Sequence, residues 1–173
     1  VWSRSVTKYL IDTNSIVDAK DFFYAFDLCP GFWNALLRHH ESCEVFSIDH
    51  VKSELTDGND VLVRWAKKMP KSFFLPTATE DVVNQYATII QWVQANYQRQ
   101  DAISSFAAKA DGWLIAYAKV HGFTIVCEEK LNLDMKKRVA NPNVCHQFGV
   151  PYCNVFEMLR KIKVKFGLRK LVM

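Results

Sequence analysis

The chain has 173 residues, half of them hydrophobic and 13% aromatic, with a formal net charge of +4. That length is about one domain's worth, large enough to bury a real core, and so apolar a composition leaves little of it for disorder. No apolar run approaches the roughly 18 residues of a membrane span, and the opening Val1-Trp2-Ser3-Arg4 lacks the apolar core of a signal peptide.

The elements alternate along the chain. "TKYLID" reads as a buried strand that stops at an acid followed by small polar residues, Asp12-Thr13-Asn14-Ser15, with a helix beginning at Ser15. "DFFYAFDLCPGFW" is aromatic throughout. Burial in the core is the better expectation for Phe22, Phe23 and Phe26, and a groove for a partner helix is the alternative. "GFWNALLRHHES" follows as a helix, "EVFSI" as a short strand, and "DHVKSELTDG" as a short helix with Asp49 as N-cap and Gly58 as stop. "NDVLVRWAKKM" is a helix, "SFFLP" a strand and "EDVVNQYATIIQWVQANYQ" a long amphipathic helix. Next comes "KADGWLIAYAKVHG", a helix running directly into the strand "FTIVCEE". "NVCHQFG" (helix), "VPYC" (edge strand) and "NVFEMLRKIKVKF" (helix) close the chain. Strands separated by helices predict an α/β protein, a single domain over residues 1–173 with a mainly parallel sheet covered on both faces.

Cysteine and histidine chemistry is not prominent. Cys29, Cys43, Cys127, Cys145 and Cys153 are odd in number and make no CxxC pair, which fits reduced thiols in a cytoplasmic protein. The histidines form no zinc spacing. Positive charge gathers at Lys136-Lys137-Arg138 and in the closing "RKIKVKFGLRK", either as a solvated helix face or as a nucleic-acid contact.

The acids carry more information. Open parallel sheets bind ligands outside the carboxyl ends of their strands, where Asp12 and Glu128-Glu129 fall. Asp111 lies on an apolar helix face, with Ala107, Ala108, Leu114 and Ile115 three or four residues away. A carboxylate there needs compensation, as a helix cap, a salt-bridge partner or a metal ligand; taken singly, the N-cap is the better reading. Glu54 alone is an ordinary surface acid, and Asp12 alone a turn or cap residue.

As a set, "YLIDTNS", "SEL", "ADGWLIAYA" and "TIVCEE" resemble, over roughly residues 7 to 160, the motifs of the PIN domain family of metal-dependent nucleases. The last motif departs from the family's Thr-x-Asp pattern. Register favours Glu129 as its acid, with Glu128 and Asp134 as alternatives. The resemblance implies a three-layer α/β/α sandwich with Asp12, Glu54, Asp111 and Glu129 clustered at one end of the sheet, Asp12 and Asp111 as direct metal ligands, and Glu54 and Glu129 holding waters or a second ion. Asn14 then orients Asp12 or touches phosphate, and Lys136, Lys137 and Arg138 bind substrate. Clustered carboxylates raise one another's pKa unless a cation sits among them, and an oxygen-only set suits Mg²⁺ or Mn²⁺. The implied activity is endoribonuclease cleavage of RNA.

Small single-domain members resemble the toxins of toxin–antitoxin pairs, so a small antitoxin protein is an expected partner; no membrane is, and a homo-oligomer stays open. Two rival readings are an inactive RNA-binding or scaffold module, which the irregular last motif favours, and a phosphatase of the haloacid-dehalogenase type. The phosphatase wants a second acid where Asn14 stands.

Overall fold

The structure, a computed structural model, describes residues 7–167; the opening tetrapeptide and the last basic residues, Arg169 and Lys170, lie outside them. Strand β1 (Tyr9–Ile11) is followed by helix α1 (Thr13–Asp18), a π-helical turn (Ala19–Phe23), α2 (Pro30–Glu41), β2 (Val45–Ile48), α3 (Asp49–Thr56) and α4 (Val61–Lys68). A 3-10 turn (Lys71–Phe73) leads into β3 (Phe74–Leu75), then α5 (Glu80–Asn96), α6 (Gln100–Ala108), α7 (Asp111–His121) and β4 (Thr124–Val126). The described chain closes with α8 (Asn141–Phe148), β5 (Tyr152–Cys153) and α9 (Val155–Lys161).

The strands form one parallel sheet in the order β3-β2-β1-β4-β5. Every residue of β1, β2 and β4 is buried, as expected of strands covered on both faces. Helices α1, α3 and α4 pack together in one layer, α5 to α8 in the other, giving the expected α/β/α sandwich. Among the described residues no helix is long and apolar enough to cross a membrane.

The strand order fixes where a ligand can sit. From β1 the chain steps outward to β2 and β3, then returns to the other side of β1 for β4 and β5. The crevice beyond the tips of β1 and β4 is therefore the topological switch point. Register aligns Ile11 with Val126, so Asp12 and Cys127 emerge side by side, and the Asp12 amide donates to the Val126 carbonyl (3.1 Å).

Three expectations need correction. Phe22 and Phe23 are not core residues: they are 75% and 51% exposed, on a π turn whose wider backbone carries them outward, and Phe23 meets Phe156 of α9 edge-on. Only Phe26 packs inward, stacked on Trp33 at 3.8 Å. The closing helix does not reach Phe166. It ends at Lys161, and Lys163 adopts a left-handed φ of 60° that no α-helix can contain. Helix α6 was not expected, because its Gln, Asp and Ser residues mask the short apolar stripe Ala102, Ile103 and Phe106 that it buries.

Candidate active site

Asp12 stands where an N-cap would, extended at φ −71° and ψ 154°, yet its side chain makes no capping hydrogen bond. It is only 1% exposed, and its Oδ2 has no hydrogen-bond partner among the described residues. The strand-end acid is therefore neither capping α1 nor closing a turn.

Asp111 is likewise not a cap. The N-cap position of α7 belongs to Ala110, and Asp111 is the first helical residue. Gly112 lets it sit deep: a Cβ there would come within 2.9 Å of the Tyr86 ring and 3.2 Å of Phe106, so only glycine allows α7 to approach α5 and α6 this closely.

Glu54 of α3 reaches across to both motifs. Thr13 Oγ1 donates to its Oε2, and the Ala110 amide donates to its Oε1 (2.8 Å). The two glutamates after β4 diverge. Glu128 accepts from the Val155 amide at the start of α9 (2.9 Å), a helix capped by Asn154, whereas Glu129 accepts from the Asn141 amide (2.7 Å) and from Arg138 Nη1 (2.5 Å). Asp134 is exposed in the loop beyond. Geometry thus brings Glu129 to the other acids and turns Glu128 away.

A residue the sequence did not single out joins the set. Asn141, at the start of α8, donates from Nδ2 to Asp111 Oδ1 (2.8 Å) while its own amide holds Glu129. It is 2% exposed, and its Oδ1 has no partner among the described residues. The signal was weak: a lone Asn before Pro142 reads as a helix start. Two residues on, Asn143 bonds both ways with the Asn132 backbone (2.7 and 3.0 Å), tying down the loop that carries Lys136, Lys137 and Arg138.

The electrostatics match this arrangement. Burial pushes the Asp12 carboxyl well above its ordinary range; the nearby Asp111 adds to this, the Thr13 amide opposes it, and Glu129 and Glu54 contribute further. Asp111 is also raised, by burial first, against the Asn141 hydrogen bond, with Glu129 and Glu54 repelling it and Lys109 attracting it. Of the four acids, Glu129 and Glu54 lie near enough to act on both aspartates, and Asp111 on Asp12. Asp12 follows β1, Glu129 follows β4, and Thr13, Glu54, Asp111, Asn141 and Glu129 are linked by the bonds described above.

The remaining expected residues flank the cluster. Asn14 is exposed and makes no hydrogen bond to Asp12 among the described residues, so it does not orient that carboxylate. Arg138 is paired with Glu129. Lys136 Nζ lies 5.2 Å over the Tyr97 ring, and Lys136 and Lys137 share a cavity of about 290 Å³ with Asn96, Gln98 and Arg99. Glu129 also opens onto a cavity of about 430 Å³ lined by Leu131, Tyr152 and Asn154. A cavity of about 760 Å³ along α2 is lined by none of the four acids.

Do these residues suit a cation? Among the described residues no three His, Cys, Asp or Glu side chains form a ready ligand shell. Both oxygens of Glu54 and both of Glu129 accept from protein donors. What remains is a small oxygen-only set with two orphaned buried oxygens, Asp12 Oδ2 and Asn141 Oδ1. A hard ion that takes one or two carboxylates and keeps its waters, as Mg²⁺ does, fits that set.

Residues 9–166 match a family model described as a domain of unknown function, DUF4411. The chain belongs to the DUF4411 family. The match runs from β1 through α9 and takes in all four acids and Asn141. No curated protein matches this DUF4411 chain.

Proposed function

We propose that this DUF4411 protein is a PIN-like, Mg²⁺- or Mn²⁺-dependent endoribonuclease, hydrolysing RNA phosphodiester bonds. One observation carries the reading: two buried, mutually repelling carboxylates, Asp12 and Asp111, share the switch point of a parallel sheet, and one oxygen of Asp12 is orphaned. Such a pair is stable near neutral pH only with a cation or a proton between its members. A bound divalent ion would supply Lewis acidity and neutralise charge developing on a phosphate.

The protein's own residues divide the work. Asp12 and Asp111 hold the ion, while Glu54 fixes their spacing by gripping Thr13 beside one and the Ala110 amide beside the other. Glu129, anchored by Arg138 and α8, keeps the fourth side of the site negative. Lys136, Lys137 and Lys109 attract the RNA backbone, and exposed Asn14 is free to meet a phosphate. The toxin of a type II toxin–antitoxin pair is the role that best suits this activity on so small a domain. The exposed Phe22 and Phe23 would then be the surface a small antitoxin covers.

End-labelled RNA incubated with the protein, with and without Mn²⁺, tests the reading. Internal cuts that need both Mn²⁺ and Asp111 are expected. RNA that is bound but left intact in Mn²⁺ would replace the enzyme with an RNA-binding module.

A further inference from the structure

We infer that Asn141 is itself a cation ligand, through its side-chain oxygen, and that the direct protein ligands are Asp12, Asp111 and Asn141 rather than four carboxylates. This rests on the divalent-ion reading of the site.

Glu54 and Glu129 each accept on both oxygens from protein donors, so their geometry is that of braces. Asp12 Oδ2 and Asn141 Oδ1 are the two buried side-chain atoms without a partner among the described residues. Buried polar atoms are nearly always satisfied, so each of these orphans, one on Asp12 and one on the Asn141 that bonds Asp111, marks a missing partner. The amide cannot be rotated to relieve this: turning Asn141 over would point its carbonyl at Asp111 Oδ1 and lose the 2.8 Å bond. The partner of Asn141 Oδ1 must therefore be a hydrogen-bond donor or a cation, and of these a divalent cation also offsets the repulsion between Asp12 and Asp111. Amide carbonyl oxygens are ordinary ligands of hard cations, and a set of two carboxylates and one amide leaves room for the several waters Mg²⁺ retains.

The backbone supports the placement. Asn141 is fixed by Glu129 at its amide and by Asp111 at its Nδ2, so its oxygen is held between the two motifs with little freedom to turn toward solvent. Pro142 and the Asn143–Asn132 bonds rigidify the same turn.

Mn²⁺ titration of the RNA-free protein, read by the rise in melting temperature, separates a ligand from a mere positioning residue. Asn141→Ala should bind Mn²⁺ at least about tenfold more weakly than wild type. Asn141→Asp loses the donor to Asp111 and adds a charge, so its ion-free melting temperature should drop, but its gain on adding Mn²⁺ should equal or exceed wild type's. In the wild-type protein, the Asn141 side-chain NH₂ resonances should shift on Mg²⁺ addition and saturate with the melting shift, a readout that needs no variant to fold. Asn141→Asp losing Mn²⁺ binding as fully as Asn141→Ala, or unmoved Asn141 resonances while the protein is stabilised, would overturn the ligand and leave the ion reading intact. A wild type that does not respond to Mn²⁺ at all would overturn both.

Discussion

Two strands of this sheet end in an aspartate, and the two aspartates have opposite fates. β1 runs into Asp12 and β2 into Asp49. Asp49 is fully served: its Oδ1 accepts from the His50 amide (2.9 Å) and the Thr77 hydroxyl (2.9 Å), and its Oδ2 from the Thr77 amide (3.1 Å). Burial alone would raise its pKa, but His50 and Thr77 outweigh that and leave it below its ordinary value. It is not the N-cap of α3, since Ile48 holds that position; it staples the β2 corner to the loop after β3. Asp12 also ends a strand, but only the Thr13 amide favours its charge by hydrogen bonding, and its Oδ2 has no partner among the described residues.

The contrast breaks most sharply under substitution. Asp12→Asn and Asp111→Asn should each leave a folded protein and lower Mn²⁺-dependent RNA cleavage by roughly 100- to 1,000-fold, the several kcal/mol a metal's charge supplies to a transition state. Quantified cleavage of labelled RNA checks this, and Asp49→Asn should cut at close to the parental rate once folded. Next in size, Glu54→Gln or Glu129→Gln should weaken Mn²⁺ binding or activity by about 10- to 100-fold, the usual cost of losing a residue that orients ligands.

Stability should show the opposite order. Asp49→Ala removes the acceptor for the Thr77 amide and hydroxyl and should cost about 1–3 kcal/mol in denaturant unfolding. Asp12→Asn should cost nothing without metal near neutral pH and should raise the melting temperature. The pH dependence follows from the directions of the shifts. Asp12 has its folded pKa raised, so its contribution is full below the unfolded value of about 3.9 and is lost as pH climbs through the folded value. Asp49 has its folded pKa depressed, so its contribution is full above that value and is lost as pH falls through the folded one. Metal-free wild type should therefore lose stability on going from acidic toward neutral pH, and Asp12→Asn should flatten that decline.

The two acids also show what a sequence can and cannot disclose. Strand positions, the parallel sheet and the convergence of Asp12, Glu54, Asp111 and Glu129 were legible, because apolar runs, helix periodicity and an acid at a strand end leave local marks. Which strand-end acid lacks donors was not, since Thr77 reaches Asp49 across 28 residues of chain and Asn141 reaches Asp111 across 30. The splitting of Glu128 and Glu129 between two helix starts depends on where α8 and α9 land, which no spacing within "CEEK" records. The exposure of Phe22 and Phe23 was hidden for a related reason, because a π turn has no composition of its own.

The smallest effect belongs to the periphery. Replacing Lys136 and Lys137 together by alanine should leave the ion site untouched, weaken RNA binding and reduce the salt slope by about 1.4, since each phosphate contact with single strands contributes about 0.7. Filter binding at a series of salt concentrations gives that slope, and no change in it would return both lysines to the solvated surface.

The central claim is that a divalent ion belongs between the β1 and β4 tips. Anomalous diffraction from a crystal of the wild-type protein soaked in Mn²⁺ tests it most directly. The account predicts an anomalous peak within ligand distance of Asp12 Oδ2, at roughly 2.0–2.4 Å, and absent from the Asp49 corner. A soak with no peak at Asp12, or with one only at other carboxylates, would contradict it.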